Sequence, residues 1–386
     1  MNAPASLLYF DNNATTRVDP EVVQEMLPFL TEQYGNPSSP YSFGKRAANA
    51  LEQARERVAA LLGCSAPEVL FTSCGTESTN TAIHSALAVD RDAQHIVTTR
   101  VEHSATLKTC ESLAKRGYEI TWLGVDSKGQ VDLEELEKAI RPDTALVSAM
   151  WANNETGTLF PMQRIQEIVK KKGVFFHTDA VQVIGKVPVN LQDAGTHFLS
   201  LSGHKLHCPK GVGALYVNRK SRFFPYMTGG GQENGKRAGT QNVASIVALG
   251  KACELAQQNL EHEGSYVRQL RDDFERLVFE QIQGVTINGD PESRLPNTTS
   301  LSFERTDAEA LLLFLDQKGL CCSAGSACTA GSLNPSHVLK AMGYSDERAR
   351  TSLRFSFSRF NTAAEILHGV ELLKSGVSRV RSLSAA

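Results

Sequence analysis

The stretch that decides the fold is Ser200-Leu-Ser-Gly-His-Lys-Leu-His-Cys-Pro-Lys-Gly-Val-Gly-Ala-Leu-Tyr-Val217. Its apolar end, from Val212 to Val217, has the length and composition of a buried strand bounded by turn residues. Lys205 therefore lies at the edge of a core, where desolvation and neighbouring cations lower the pKa of an amine and allow it to attack a carbonyl. A pyridoxal phosphate (PLP) Schiff base requires such an amine. For this stretch alone, a solvated surface lysine is the alternative.

A second stretch, Val174-Phe-Phe-His-Thr-Asp-Ala-Val-Gln182, offers the acidic partner that PLP needs. Residues 174–176 are predicted as a short buried strand, with Asp179 at its end. An anion beside the pyridinium nitrogen keeps the ring protonated, and open α/β sheets place ligand groups at the carboxyl ends of parallel strands. Asp179 could instead cap a turn. Its combination with Gly203-His-Lys205 is more specific than either element alone.

The composition is that of an ordinary globular protein, with 41% hydrophobic and 21% charged residues in a chain of 386. Forty basic and 42 acidic residues leave a net charge of −2 without a basic tract, so neither nucleic acid nor a membrane is an expected partner. No apolar run reaches the roughly 18 residues of a membrane span, and residues 1–10 lack the basic region of a signal peptide. The eight cysteines lack close-set pairs of framework spacing and do not suggest a disulfide scaffold. The cytoplasm is the expected location.

Strand and helix patterns alternate between residues 68 and 176. Strands are predicted at 68–72, 95–99, 120–123 and 145–150, and helices at 81–89, 105–116, 133–140 and 162–171. This alternation predicts a mostly parallel, doubly wound sheet. Right-handed crossovers gather the loops after the strands on one edge, so residues 75–76, 103, 154, 179 and 205 are expected to come together.

Ser73-Cys-Gly-Thr-Glu-Ser-Thr-Asn80 turns the first of these strands into a helix. A glycine and hydroxyl residues at a helix start direct backbone N–H groups at an anion, and the helix dipole adds to the attraction. Gly75 and Thr76 are therefore assigned to the PLP phosphate. A capped helix start without a ligand is the alternative.

The domain boundary is predicted near residue 260. A large PLP-binding domain is expected over 15–260, and a smaller α+β domain over 1–14 and 261–386, carrying a mobile cysteine loop at about 323–335. The glycine-rich segment 229–242 lacks the G-x-G-x-x-G pattern, so a dinucleotide site is not supported. A helix over 21–32, an amphipathic helix that ends near 62 and a helical region over 243–281 broken near 261–264 are also predicted. In the smaller domain strands are predicted at 285–287, 299–303 and 352–357 and helices at 308–317 and 363–375, with a frayed tail over 379–386.

Over essentially its whole length the chain resembles the cysteine desulfurases of the NifS/IscS type, which are fold-type I PLP enzymes related to the class-V aminotransferases. The NifS-like branch, dedicated to nitrogenase cluster assembly, is nearer than the housekeeping one. The resemblance implies an α/β fold with a mostly parallel sheet in the large domain and a smaller α+β domain. The resembling runs are Asp11-Asn-Asn-Ala-Thr-Thr16, Tyr34-Gly-Asn-Pro-Ser-Ser39, Phe71-Thr-Ser-Cys-Gly-Thr-Glu-Ser78, Trp151-Ala-Asn-Asn-Glu-Thr-Gly157, His177-Thr-Asp-Ala-Val-Gln182, residues 200–213, Ser323-Ala-Gly-Ser-Ala-Cys-Thr-Ala-Gly-Ser332 and residues 354–359.

The resemblance implies a role for each matching residue. Lys205 resembles the Schiff-base lysine, and His103 resembles the histidine that stacks on the cofactor ring and moves protons. Without the other motifs, His103 would be a structural residue at a helix start. Arg354 resembles the arginine that holds the substrate carboxylate, a task that suits its planar fork. Thr240 resembles a phosphate contact given by the other subunit, which implies a homodimer with shared active sites. The remaining implied contacts are Asp179 at the ring nitrogen, Gln182 at the ring hydroxyl with Asn154 beside it, and Thr76, Ser202, His204 and the Gly75 backbone at the phosphate.

Cys328 resembles the nucleophile that becomes a persulfide. Its neighbours are small and permissive, which suits a thiolate that must travel on a mobile loop, although an isolated cysteine is more often a buried hydrophobe. Cys321 and Cys322 stand where small or apolar residues are expected. They are interpreted as core residues, with a role in resolving the persulfide as the alternative. Asn234 stands where the family usually carries arginine.

The predicted function is the conversion of L-cysteine to L-alanine, with sulfur passed to Cys328 and then to an iron–sulfur scaffold protein for nitrogenase-type cluster assembly. No fixed metal site is expected, since the Cys328 persulfide would meet a cluster on the scaffold only transiently. The alternatives are a housekeeping iron–sulfur role, a selenocysteine lyase, a transaminase, and a sulfur-carrier protein without catalysis.

Overall fold

A computed structural model describes residues 7–89, 92–192, 194–325 and 335–384. No helix in these ranges is both long enough and apolar enough to cross a bilayer. The strands within them are β1 (Leu8–Tyr9), β2 (Val69–Thr72), β3 (His95–Thr99), β4 (Glu119–Leu123), β5 (Thr144–Ser148), β6 (Phe175–Asp179), β7 (Phe198–Ser202), β8 (Gly213–Val217), β9 (Val285–Ile287), β10 (Thr298–Phe303), β11 (Leu320–Cys321) and β12 (Ser352–Ser356). The helices are α1 (Pro20–Met26), α2 (Pro28–Thr31), α3 (Ser42–Leu62), α4 (Gly75–Val89), α5 (Ser104–Ala114), α6 (Leu133–Ala139), α7 (Met162–Lys172), α8 (Val243–Gln258), α9 (Leu260–His262), α10 (Arg268–Gln281), α11 (Ala308–Gln317), α12 (His337–Ala341), α13 (Asp346–Arg350) and α14 (Ala363–Ser384).

The central sheet contains seven described strands in the order β2-β8-β7-β6-β5-β3-β4. Only β8 is antiparallel to its neighbours, β2 and β7; all other neighbouring strands are parallel. The predicted α/β fold with a mostly parallel sheet is thereby confirmed. Because every strand except β8 runs in one direction, the carboxyl ends of the other six meet at one edge of the sheet.

Helices cover both faces of this sheet. In β2, Phe71 packs in a core shared with α3 and α8, whereas the preceding Leu70 packs in a core shared with α4. In β8, Tyr216 and Leu215 divide between the same two cores. Successive side chains of a strand point to opposite faces, so these strands are apolar throughout because both faces are buried.

A smaller antiparallel sheet has the order β12-β10-β9, and β1 pairs with β11 beside it. Phe10 packs there against Phe274 and Phe357, at centroid distances of 6.1 and 5.0 Å. N-terminal and C-terminal residues therefore share one core. This packing favours a smaller domain made of residues before about 14 and after about 260, but these domain boundaries stay a prediction. Val338 and Leu339 pack instead in a core of the central sheet.

Three predictions of secondary structure are wrong. The helix expected over 21–32 is two helices, because Pro28 has no N–H to continue the first one and begins the second. The tail expected to fray from 379 is helical as far as Ser384, and Arg381 ties it down by donating to the carbonyl oxygens of Gln283 and Glu304. The strand predicted over 174–176 is longer and runs from Phe175 to Asp179, so the bounds are wrong although Asp179 does lie at its end. Strand β7 is not among the predicted elements.

Candidate active site

A cavity of about 710 Å³ lies at the edge of the sheet where the parallel strands end. Its walls come from the segments that follow β2, β3, β5, β6 and β7, together with the residues after β1 and part of β12. The structure brings together ten of the twelve residues singled out from the sequence. They are Gly75, Thr76, His103, Asn154, Asp179, Gln182, Ser202, His204, Lys205 and Arg354.

Lys205 closes the short helical turn that follows β7. Its Nζ donates to the backbone carbonyl oxygens of Asn13 and Ala14, at 2.5 and 2.8 Å. Two carbonyl dipoles therefore hold the ammonium group in the cavity. The segment 11–16 thus forms a wall of the site, although it lies nearly 200 residues away in the chain.

Asp179 is the last residue of β6, and its side chain is buried at the cavity wall. One oxygen, Oδ1, accepts the backbone N–H of Val181 at 2.9 Å. Burial raises the pKa of Asp179, and the charges of His103 and Lys205 offset this only in part. A cation placed against this carboxylate from within the cavity would favour its ionised form.

The N-terminus of α4 faces the cavity through Gly75 and Thr76. The first N–H groups of a helix have no intrahelical acceptor and attract an anion. A Cβ atom at Gly75 would lie 2.9 Å from Val181 Cγ2 and 3.5 Å from Ser202 Cβ. Glycine is therefore required at this position, because the helix start packs directly against the segments that carry Asp179 and Lys205.

His103 is the N-cap of α5. Its Nδ1 accepts the backbone N–H of Ala105 at 3.1 Å, so the neutral imidazole carries its proton on Nε2. His103 therefore does make the structural bond at a helix start that was the alternative to a role in the site. This bond does not compete with a role in the cavity, because it uses only one of the two ring nitrogens.

His204 stands beside Lys205 on the same turn, and its Nδ1 lies 3.2 Å from the Thr15 hydroxyl. Burial, followed by the charge of Lys205, lowers the pKa of His204 to about 4. The imidazole is therefore neutral near pH 7 and can donate one N–H to a ligand. Gln182 donates from Nε2 to the Asn13 carbonyl oxygen at 3.0 Å.

Arg354 extends from β12 into the cavity and is only 2% exposed. Its Nη2 donates to Asp11 Oδ1 at 2.7 Å, and its Nη1 donates to the Asn154 carbonyl oxygen at 2.9 Å. Its Nε is buried and has no hydrogen-bond partner among the described residues. A buried N–H of this kind calls for an acceptor, and a ligand carboxylate in the cavity would supply one.

The other two of the twelve residues are Thr240 and Cys328. Thr240 is exposed on the segment that precedes α8 and does not line the cavity of its own chain. Cys328 falls outside the described residues. Cys322 is buried among apolar side chains, in agreement with its interpretation as a core residue, and burial strongly raises the pKa of its thiol. Cys321 is only partly buried and is not part of that core.

Sequence reasoning assigned no role to several residues that the structure places at the site. Asp11 and Asn13 belong to a run that was singled out only as a resemblance, and they prove to be the partners of Arg354 and Lys205. His337 also lines the cavity, and its Nε2 lies 3.0 Å from the Glu102 carbonyl oxygen. The two consecutive asparagines, residues 12 and 13, could have indicated that this run belongs to the site, since buried amides usually serve as hydrogen-bond partners.

The arrangement fits an aromatic cofactor that carries a phosphate and a basic ring nitrogen. The helix start at Gly75 suits the phosphate, the buried Asp179 carboxylate suits a pyridinium nitrogen, and the Lys205 amine lies in the same cavity. The chemistry of this donor set is that of PLP.

Comparisons with known proteins agree with this chemistry. The family model described as aminotransferase class-V matches residues 8–368. Cysteine desulfurase 2 of Trichormus variabilis is 52% identical over 98% of this chain and 95% of its own length. Cysteine desulfurase NifS of Azotobacter vinelandii is 50% identical over 98% of this chain and 94% of its own length.

Solved structures give the same result. A NifS-like protein superimposes with a TM-score of 0.91 at 40% identity, covering 97% of this chain and 100% of its own. A structure of SspA in complex with cysteine has a TM-score of 0.81 at 36% identity, covering 92% and 99%. The likeness therefore extends over nearly the whole of each chain.

Proposed function

The chain belongs to the class-V aminotransferase family and is a cysteine desulfurase of the NifS/IscS type, and on that premise we propose that it binds PLP in the cavity and transfers the sulfur of L-cysteine to Cys328. The products are L-alanine and a persulfide on Cys328. The observation that carries the proposal is the meeting of Lys205, Asp179 and Arg354 in one buried cavity.

In this proposal PLP, when bound, withdraws electrons from the substrate α-carbon and from the bonds next to it. Lys205 is the amine that holds the cofactor and then moves the α-proton. Asp179 pairs with the ring nitrogen, and Gln182 donates to the ring hydroxyl beside Asn154. The helix start at Gly75, with Thr76, Ser202 and His204, contacts the phosphate.

Arg354 binds the substrate carboxylate. Asp11 and the Asn154 carbonyl oxygen hold two edges of the guanidinium, and the buried Nε–H is the donor that we assign to the substrate. A charge-assisted hydrogen bond of this type contributes roughly 1.5–3 kcal/mol.

His103 would lie against the cofactor ring and hold a proton for the substrate sulfur. Because its Nδ1 accepts the N–H of Ala105, the ring proton is the one on Nε2. In this tautomer the neutral imidazole meets the sulfur as a hydrogen-bond donor.

The proposed partners are a second copy of this chain, which supplies Thr240, and an iron–sulfur scaffold protein that takes the sulfur for nitrogenase-type clusters. Support for the dimer comes from large apolar side chains that are exposed in the single chain. These side chains include Leu27, Leu30, Tyr34, Tyr41, Phe224, Tyr226 and Met227. The proposed cytoplasmic location draws support from the free thiols of seven described cysteines.

The test is the Cys328→Ser variant, assayed with PLP, L-cysteine and a thiol reductant for alanine and sulfide. We expect the unchanged protein to form both products at equal rates and Cys328→Ser to form less than about 1% as much, because a hydroxyl cannot accept the sulfur as a persulfide. Cys321→Ser is the matched control and should keep its activity. Undiminished sulfide release by Cys328→Ser would show that another reaction operates.

A further inference from the structure

A buried lysine lies behind the cavity, four residues after Gln182 in the turns that follow β6. Lys186 is 7% exposed, and its Nζ donates to Gln182 Oε1 at 3.0 Å and to Asn13 Oδ1 at 3.5 Å. Burial first, and then the charges of Lys205 and Arg354, lower the pKa of Lys186 to about 7, although Glu263 acts in the opposite direction. A lysine side chain is rarely buried in this way unless its ammonium group has hydrogen-bond acceptors or a charged partner.

The partner of Lys186 is an amide whose orientation matters. An ammonium group only donates hydrogen bonds, so it turns the oxygen of Gln182 toward itself and the nitrogen away. The nitrogen has two N–H groups, and the Asn13 carbonyl oxygen accepts one of them. Gln182 lines the cavity, so its second N–H can meet an acceptor that is bound there.

The same contacts reach Lys205. The Asn13 carbonyl oxygen accepts from both Gln182 Nε2 and Lys205 Nζ, so a continuous path of hydrogen bonds runs from Lys186 through Gln182 and Asn13 to the reactive amine. Lys186 and Lys205 also share a small space with Glu263 and Arg359 on the side away from the cavity.

We propose that Lys186 is a positioning residue, which fixes the Gln182 amide so that one N–H meets the ring oxygen of the cofactor. The inference rests on the proposed function, which places PLP in this cavity. It assigns to Lys186 a role that depends on Gln182 and not on contact with substrate or cofactor.

The experiment measures the pH midpoint at which the visible absorption band of the bound cofactor changes, in protein loaded with PLP. Lys186→Met removes the donor while keeping most of the side-chain volume. We expect the midpoint to rise by about one pH unit, a tenfold gain in proton affinity. The reason is that a ring oxygen without its N–H partner is more basic and holds the proton that it shares with the lysine nitrogen more tightly.

A mutant cycle separates positioning from other effects. Gln182→Met should raise the midpoint in the same direction, and the double variant should match Gln182→Met alone, since Lys186 acts through that amide. Lys186→Gln keeps an N–H for the Gln182 oxygen and should retain most of the original midpoint. Ile184→Val, a change in the neighbouring core, controls for loss of stability.

The proposal is overturned if Lys186→Met leaves the midpoint unchanged, if Lys186→Gln shifts it as much as Lys186→Met does, or if the shifts of the single variants add in the double variant. Addition would mean that the lysine charge acts on the cofactor directly. Failure of the unchanged protein to bind PLP at all would refute the proposed function and is seen before any variant is compared.

Discussion

At the scale of single residues, the site depends on how buried charged groups are partnered. Arg354 is nearly inaccessible to water, and its two terminal nitrogens are occupied by Asp11 and Asn154. A planar guanidinium holds these two partners in fixed directions and keeps its Nε–H for another acceptor. The Nε–H, which has no partner among the described residues, is the donor that the proposed substrate-binding role uses.

We expect Arg354→Lys to raise the KM for L-cysteine at least tenfold while cofactor binding stays within about twofold. A lysine ammonium cannot reach Asp11, Asn154 and a substrate carboxylate in the same geometry, and the loss of one charge-assisted bond corresponds to about a tenfold change in affinity. Steady-state kinetics and PLP titration measure the two effects.

Arg348→Lys is the matched control for this variant. Arg348 also holds two acceptors, Asn288 Oδ1 and the Ile287 carbonyl oxygen, but it does not line the cavity. Its replacement should lower stability and leave the KM unchanged. An unaltered KM in Arg354→Lys would remove Arg354 from the substrate site.

Residue types and spacing indicated which side chains line the cavity but not which groups hold them in place. Asp179 and Lys205 follow strands, so chain order and the crossover rule were sufficient to bring them together. Asp11 and Asn13 act through hydrogen bonds to residues 343 and 192 positions away. Such contacts depend on side-chain directions that no local pattern encodes.

At the scale of elements, the glycine-rich segment before α8 is attached to the sheet by a buried ion pair. Arg55 on α3 donates two parallel hydrogen bonds to Glu233, at 2.8 and 3.0 Å. Arg55 also donates to the carbonyl oxygen of Val69, and Glu233 accepts the N–H of Phe71. The pair therefore joins α3, β2 and this segment at one point.

We expect Glu233→Gln to lower the free energy of unfolding by about 3–5 kcal/mol, because it leaves the Arg55 charge buried without its partner. Glu52→Gln is the matched control, since Glu52 pairs with the same arginine but its side chain is 63% exposed. That change should cost less than about 1 kcal/mol. Urea denaturation of the two variants measures the difference, and equal losses would contradict the assignment of the pair as buried.

The pattern of elements was predictable wherever hydrophobic periodicity was strong. Strand β3 and helix α11 were expected in the ranges where the structure has them. The prediction failed where tertiary contacts decide, as in the last turns of α14, which the hydrogen bonds of Arg381 hold in place. It also failed to identify β7. That strand is short, and it contains two serines, a residue type that is also common in turns.

At the scale of the whole molecule, the question is whether each active site is made by one chain or by two, and Thr240 is the residue that tests it. The residue is exposed and lies outside the cavity of its own chain. Two contacts hold the segment that carries it: Arg237 pairs with Glu77 in the first turn of α4, and the Gly239 N–H bonds to Gln232 Oε1. A fixed, outward-facing threonine is suited to a phosphate in a neighbouring copy.

We therefore expect Thr240→Asp and Lys205→Ala to complement each other when the two chains are mixed, unfolded and refolded together. Each variant alone should have less than about 1% of the normal activity, because a carboxylate repels the phosphate and an absent amine cannot hold the cofactor. In a mixed dimer, one site combines Lys205 of the first chain with Thr240 of the second and is intact. The other site carries both changes.

If mixing is random, half of the dimers contain one active site, so about a quarter of the normal activity should return. Activity that stays at the level of the separate variants, with mixed dimers shown by a size tag on one chain, would place Thr240 in its own chain's site or outside any site.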